Sequence, residues 1–396
     1  MIIATVTTIP PSPDGARRAV RVVDRDSADP NPRSRRVFLL AGLVLVVVAI
    51  GAVVFAANTD PSSVAPKVNT ANLPILAAAP PPALNPVGGW LNSPPVTEAS
   101  LQGKVVIYDF WTYSCINCVR TIPYLRAWYN RYSAYGLVII GVESPEFDFE
   151  KVRSNVVAAD KKLGVVWPVA LDNNMAVWNA FDTQYWPTKD IVDRQGRPRY
   201  QDIGEGEYSQ TENVIRQLLG VAPTSPRAAS ASVTGSASGS GNITAESYLG
   251  TDEGQENVRA GTSTYPTNPR PEPEEVELAG AWTGNTQEVT GAVGAQIVLD
   301  YHAREVNLVL APPGPANGTS VAPGAVANLE VSLDGHPVPS ADRTPDTLVA
   351  PDGSTYVHVS SDDLYRLVLT PAIERHVLTL TVLTPGLEAF DFTFGG

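Results

Sequence analysis

Cysteine is nearly missing from this 396-residue chain: there are two, Cys115 and Cys118. Two cysteines cannot build a disulfide framework, so stability must come from hydrophobic cores. Histidine is scarce as well. All four (His302, His336, His358 and His376) lie in the last quarter of the sequence, far from the cysteines, which argues against a local Cys/His zinc site. Positive charge is in deficit, with a net charge of −13, whereas a nucleic-acid partner calls for basic patches to neutralise phosphates. Proline is plentiful at 35 residues, and Ser/Ala/Gly-rich runs accompany it, which points to linkers between folded parts.

The one long apolar run is Val37–Ala57, without a charge and long enough to cross a bilayer core of about 30 Å. Residues 1–36 carry seven Arg against four Asp, so the positive-inside rule leaves them in the cytoplasm and everything after Ala57 outside. Ser34–Leu40 is also similar to a twin-arginine export signal, so anchor and cleaved signal both stay open for 37–57. Either way the body of the protein is expected outside the cytoplasm, where disulfides persist.

Residues 58–86 read as a Pro/Ala-rich spacer. Over 87–221 strand and helix patterns alternate. Strands are predicted at Val105–Phe110, Leu137–Val142, Val165–Leu171, Thr188–Asp193 and Pro198–Ile203, and helices at Cys115–Tyr132, Phe147–Leu163, Asn173–Phe181 and Glu212–Leu219. Such alternation argues an α/β sheet covered on both faces. Residues 222–246 are a low-complexity linker. Over 247–396 short strands with period-two alternation are separated by turns such as Asp334-Gly335, which predicts a separate all-β, jelly-roll-like sandwich.

Cys115 follows a buried strand and falls at the start of a helix, where free amide N–H groups and the helix dipole stabilise a thiolate. Cys118 lies one turn on, on the same face and deeper. One sulfur is placed to attack and the other to resolve, as dithiol exchange requires. Other uses of the pair meet specific obstacles. Haem attachment wants His after the second Cys, where Val119 stands. A peroxiredoxin-type site wants Pro at the position of Tyr108, and a disulfide closing so small a loop restrains the unfolded chain little.

The stretch "YDFWTYSCINCVRTIP" (Tyr108–Pro123) resembles the thioredoxin motif. The resemblance makes Asp109 the buried acid that moves the proton of the second thiol, Trp111 the ring beneath the site, and Pro123 the proline that bends the active-site helix. "YWPTKDIVDRQG" resembles the segment with the thioredoxin cis-proline, which assigns that role to Pro187. The added helix and strand before it fit the TlpA/ResA-like branch. "GVESPEFDFEKV", "ALDNN", "GEGEY", "LDYHAREVNLVL" and "FDFTFGG" extend the likeness, over about Gly88 to Gly396, to the C-terminal periplasmic part of DipZ-like cytochrome c biogenesis and thiol-transfer proteins. Glu143 departs from that pattern, standing where His would precede the Pro-Glu pair.

The expected activity is thiol–disulfide exchange on protein thiols and disulfides, with Cys115 and Cys118 forming the redox disulfide. Trp186, Tyr113 and Trp111 are the candidate substrate contacts, and no metal and no cofactor is called for. The multi-span portion of the DipZ-like family is not in this sequence, so electrons are expected from a CcdA-like membrane partner, or a disulfide oxidant takes them. The family's second domain resembles a carbohydrate-binding sandwich, which leaves a glycan-binding or scaffold role, or a thiol peroxide reductase, as the alternatives. Trp282, Tyr301 and Tyr365 read more readily as core than as a sugar platform, Glu146 as a solvated loop acid, and the Asp-rich turns near Asp352 and Asp362 as turn chemistry rather than calcium sites.

Overall fold

A computed structural model describes residues 73–76, 81–222, 243–252, 254, 258–314 and 324–396. The apolar run 37–57 and nearly all of the linker 222–246 lie outside them. No helix among the described residues is long and apolar enough to cross a membrane.

The first sheet has six strands: β1 (Trp90–Leu91), β2 (Val105–Trp111), β3 (Leu137–Glu143), β4 (Val169–Leu171), β5 (Thr188–Val192) and β6 (Pro198–Ile203). Their spatial order is β1-β4-β3-β2-β5-β6. The central β2, β3 and β4 run parallel, and β5 and β6 add antiparallel. β2 is buried along its whole length, as a strand covered on both faces must be. Its residues alternate between two cores. Past the single-turn α1 (Glu98–Leu101), Val105, Ile107 and Trp111 pack beneath α2 (Ile116–Tyr132) and α5 (Tyr208–Leu219), whereas Val106, Tyr108 and Phe110 pack against α4 (Ala176–Ala180) on the opposite face. Asp109 shares the odd-numbered face and is directed towards the helix that carries the cysteines.

α2 keeps Cys118, Ile122, Leu125, Trp128 and Tyr132 buried, a spacing that follows the 3.6-residue turn. After it, a 3₁₀ turn at Ser133–Tyr135 ends on Gly136 at φ 97°, which glycine accommodates without a Cβ clash. The single helix predicted over Phe147–Leu163 is instead a 3₁₀ turn, Asp148–Lys151, followed by α3 (Arg153–Leu163). The buried Glu150 carboxylate accepts from the backbone N–H of Glu146 and Phe147, at 2.6 and 3.0 Å, which coils this stretch back on itself. Val152 is extended and breaks the helix. β4 is shorter than its predicted span, and α5 begins four residues before the predicted start.

The second sheet joins eleven strands: β7 (Ser247–Tyr248), β8 (Gly261–Tyr265), β9 (Val276–Gly284), β10 (Val289–Gly291), β11 (Gln296–Ala311), β12 (Ala327–Leu333), β13 (His336–Pro337), β14 (Thr347–Val349), β15 (Thr355–Val359), β16 (Asp363–Val382) and β17 (Leu387–Gly395). β11 pairs with β9 through its first half and with β17 through its second, so the sheet folds round one apolar core as a continuous ladder. One strand is far longer than the short ones predicted. β16 runs for 20 residues, and the register skips Thr370–Ile373 opposite Arg304, a bulge where Pro371 has no ladder bond to lose. In β9 the alternation is interrupted at Gly280, whose φ is 78°.

The β region is not set apart from the α/β part, and the two belong to one packed unit. Val309, Ala311, Leu364 and Phe390 from the β region sit in the same apolar cluster as Trp111, Tyr113 and Cys118. The Phe390 ring lies 5.2 Å from Phe147 and 5.0 Å from Phe149, both near edge-to-face. Polar bonds rim this contact: Asn155 Nδ2 donates to Asp362 at 2.9 Å, and Lys162 pairs with Asp363 at 2.6 Å.

Candidate active site

Cys115 is the N-cap of α2. Its backbone is extended, and its Sγ accepts a hydrogen bond from the Cys118 amide at 3.3 Å. Anionic sulfur there would face the unpaired amides of the first helical turn. Cys115 is half-buried and Cys118 is fully buried, so a substrate reaches only the first. The two thiols are unbonded in this structure. Burial is the main cause that pushes the Cys118 thiol well above its ordinary value. The hydrogen bond to Cys115, its charge and that of Asp109 add to it, while the Thr112 backbone opposes.

Asp109 lies under this pair, fully buried, with neither carboxylate oxygen hydrogen-bonded. Burial pushes its pKa up to about 7, Lys189 pulls it down and Asp202 pushes it up. The register explains these neighbours: Asp109 on β2 stands opposite Lys189 on β5, which stands opposite Asp202 on β6. The Lys189 ammonium is itself fully buried, 3.4 Å from Asp202 and 3.3 Å from the Gly204 carbonyl. A buried acid titrating near neutrality can hold or release a proton at working pH. Lys189 and Asp202 were not singled out from the sequence. The available signal was a lysine inside an apolar strand, two residues past Pro187.

The Trp186–Pro187 peptide is cis. Phe110 pairs with Thr188, so Pro187 comes level with the end of β2 from which the Cys115 loop departs. Trp186 is half-buried. Its indole N–H donates to the Ser144 carbonyl at 3.0 Å, and its ring lies 4.2 Å from Trp178. Beside it, Tyr185 is 59% exposed.

Two of the three candidate substrate contacts are not at the surface. Trp111 is 0% and Tyr113 3% exposed. Trp111 closes the core below the loop, and Tyr113 packs on Phe149 with ring centres 6.0 Å apart, under the contact with the β region. With both rings enclosed, neither touches a substrate in this arrangement, and Trp186 with Tyr185 is the aromatic surface that is left.

The loop between β2 and α2 is held by carboxylates. Ser114 Oγ donates to Glu150 at 2.5 Å, and Thr112 Oγ1 reaches Glu143 at 3.5 Å. Burial raises both acids, and their mutual proximity adds to it for Glu143. Glu146 is not a free loop acid: it accepts from the Tyr248 hydroxyl of β7. Just past Cys118, Arg120 bonds Glu205 at 3.1 Å and Glu305 at 2.8 Å, and Glu305 also bonds Arg366 at 2.9 Å. This chain of charges ties the cysteine helix to the "GEGEY" loop and to the β region. No sequence spacing announces it, because its bonded partners lie as far as 185 residues apart.

The other aromatic and acidic candidates fall elsewhere. Trp282, Tyr301 and Tyr365 are buried in the β core and form no surface platform. Asp352 closes its own turn by accepting from the Ser354 N–H and hydroxyl, and Asp362 faces Asn155.

Two family models agree with this architecture. Residues 103–197 match the family model described as thioredoxin-like, and residues 244–395 match that of the thioredoxin-like C-terminal domain. Protein DipZ of Mycobacterium bovis is 36% identical over 328 residues, covering 79% of this chain. The chain spans 42% of the length of that relative. The thiol-disulfide oxidoreductase ResA of Bacillus anthracis is 29% identical over 118 residues, 30% of this chain and 65% of that protein. Among solved structures, a thiol-disulfide isomerase from Corynebacterium glutamicum covers 38% of this chain and 97% of its own, at 20% identity and a TM-score of 0.33.

Proposed function

Since residues 103–197 are a thioredoxin-like domain and residues 244–395 the C-terminal domain that accompanies it, we propose that this chain is a thiol–disulfide oxidoreductase acting on protein thiols and disulfides outside the cytoplasm. The run Val37–Ala57 would tether it to the membrane. The observation that carries this reading is the half-exposed Cys115 sulfur at the start of α2, one turn from the buried Cys118, with the unpaired Asp109 carboxylate beneath.

In the reducing direction the Cys115 thiolate attacks one sulfur of a substrate disulfide. That bond breaks, a mixed disulfide forms, and the first substrate sulfur leaves with the electron pair. Cys118 then gives its proton to Asp109 and attacks Cys115 Sγ. The second substrate sulfur leaves, and the Cys115–Cys118 disulfide holds the oxidation that the substrate lost. Oxidation of a substrate dithiol is the same sequence reversed, and its direction follows the reduction potential against the partner. A membrane electron-transfer protein would return the pair to the dithiol, or a disulfide oxidant would keep it oxidised.

Reduction of insulin by wild type and by Cys115→Ser tests the reading. Wild type is expected to catalyse it and the variant to lose all exchange; an unchanged rate in the variant refutes it. Cys118→Ala is expected to accumulate mixed disulfides, whose partners name the substrates.

A further inference from the structure

The β region reaches the cysteine turn through one side chain. Arg120, two residues past Cys118 on α2, donates from Nη1 to the Asn117 side-chain carbonyl at 3.3 Å and to Glu205 at 3.1 Å, and from Nη2 to Glu305 at 2.8 Å. Asn117 stands between the two cysteines, in the first turn of the helix that Cys115 caps. The side chains of Arg120 and both glutamates are at most 13% exposed, so these bonds are made largely out of water. A guanidinium can serve three acceptors at once because its N–H groups are fixed in a planar fork. Arg366 closes the far end, donating to Glu305 at 2.9 Å.

Two strands of the β region shape a seat for this guanidinium. On β11, Tyr301 and Ala303 point into the β core, and after a register slip between Ala303 and Glu305 it is Val306, Leu308 and Leu310 that do so. The slip turns Glu305, with Val309 and Ala311, to the face that packs on the α/β part. Glu305 stands opposite Gly395 on β17, where Phe392 and Phe394 take the core face. A Cβ on Gly395 would lie 2.5 Å from Arg120 Nη2 and 3.0 Å from Glu305 Oε2, so only glycine leaves room for the guanidinium as it lies.

We infer that Arg120 is a positioning residue of the exchange site: seated against Glu305 and Gly395 of the β region, it holds Asn117 and with it the turn that carries both sulfurs. The inference rests on the exchange reading above and adds what sets the redox poise of the pair. Oxidation takes two electrons and two protons from Cys115 and Cys118 as their S–S bond forms, and oxidised glutathione accepts them as it becomes two glutathione thiols. A turn held in one geometry raises the effective concentration of one sulfur at the other, which favours the disulfide and lowers its reduction potential. Loosening the seat makes the pair easier to reduce. The β region thereby biases the direction of exchange.

The test is the equilibrium of the full chain with reduced and oxidised glutathione. In Gly395→Ala the new methyl crowds first the far end of the flexible Arg120 side chain, so the guanidinium is displaced at little cost to the fold. The equilibrium constant for oxidation is expected to fall about fivefold, a rise in potential of about 20 mV. Arg120→Lys keeps the charge without the fork and is expected to do the same. Lys162→Met breaks an exposed ion pair elsewhere in the same contact and is expected to leave the potential unchanged. Asn117→Ala removes the link, so adding Gly395→Ala to it is expected to change nothing further. The inference fails if either Gly395→Ala or Arg120→Lys, folded by circular dichroism, keeps or lowers the wild-type potential. It fails equally if Lys162→Met shifts the potential as far, or if Gly395→Ala has its full effect in the Asn117→Ala background. The exchange reading fails separately, if wild type reduces insulin no faster than Cys115→Ser.

Discussion

Replacing Asp109 by asparagine tests whether the acid beneath the cysteines is held, at a cost to the fold, in a state poised for proton transfer. Its carboxyl titrates at about 7 in the folded protein against 3.8 for a free side chain, chiefly because it is buried without a hydrogen bond. A carboxyl whose folded pKa is raised binds a proton in the native state while the unfolded chain has released it. Its penalty is therefore absent below about pH 4, grows by about 1.4 kcal/mol per pH unit between about 4 and 7, and levels off above. Asparagine carries no such penalty. The stability of Asp109→Asn relative to wild type is expected to rise by about 3 kcal/mol between pH 4.5 and pH 7.5. Urea unfolding at a series of pH values measures that difference, and resolution of a Cys115 mixed disulfide by Cys118 is read in parallel. The variant is expected to resolve it at least tenfold more slowly at neutral pH. A stability difference that stays flat with pH would refute the reasoning, since burial of an ionisable acid must appear as a pH slope.

The other predictions address the neighbours of the site. Lys189→Met removes the cation that pulls Asp109 down; the rise of the resolution rate with pH is expected to move to higher pH, and an unshifted profile would count against the Asp109–Lys189–Asp202 row. Arg120→Ala strips Glu205 and Glu305 of a largely buried cation and is expected to destabilise by about 2–3 kcal/mol in urea unfolding at neutral pH, with a change below about 0.5 kcal/mol speaking against the clamp. Phe390→Ala empties the space between Phe147 and Phe149; a loss of about 3–5 kcal/mol is expected, and a stability equal to wild type would mean that this contact is not part of the core.

Docking of the β region gives several of these residues their purpose. Phe147, Phe149 and Tyr113 are large rings on a loop edge of the α/β sheet, and Phe390 and Leu364 of the β region join them in one apolar cluster. The partly buried Arg120 is satisfied from two directions, one of them the β strand carrying Glu305. The exchange site is thus open on the side of Trp186 and Tyr185 and closed on the side of β7 and β17.

The sequence by itself carried what local chemistry dictates. An apolar run ahead of a cysteine pair and a helical spacing after it placed Cys115 at a helix start and Cys118 one turn on. Period-two alternation separated an all-β region from an α/β one. Asp109 and Pro187 came from the thioredoxin motif, not from spacing. Only the tertiary structure decided which charges meet. Asp109, Lys189 and Asp202 are aligned by the register of three strands, and register depends on long-range pairing that no short window contains. Tyr113 looks like a surface aromatic beside a reactive cysteine until the β region packs against the same cluster, whereas Trp111 lies in the core as the motif implies.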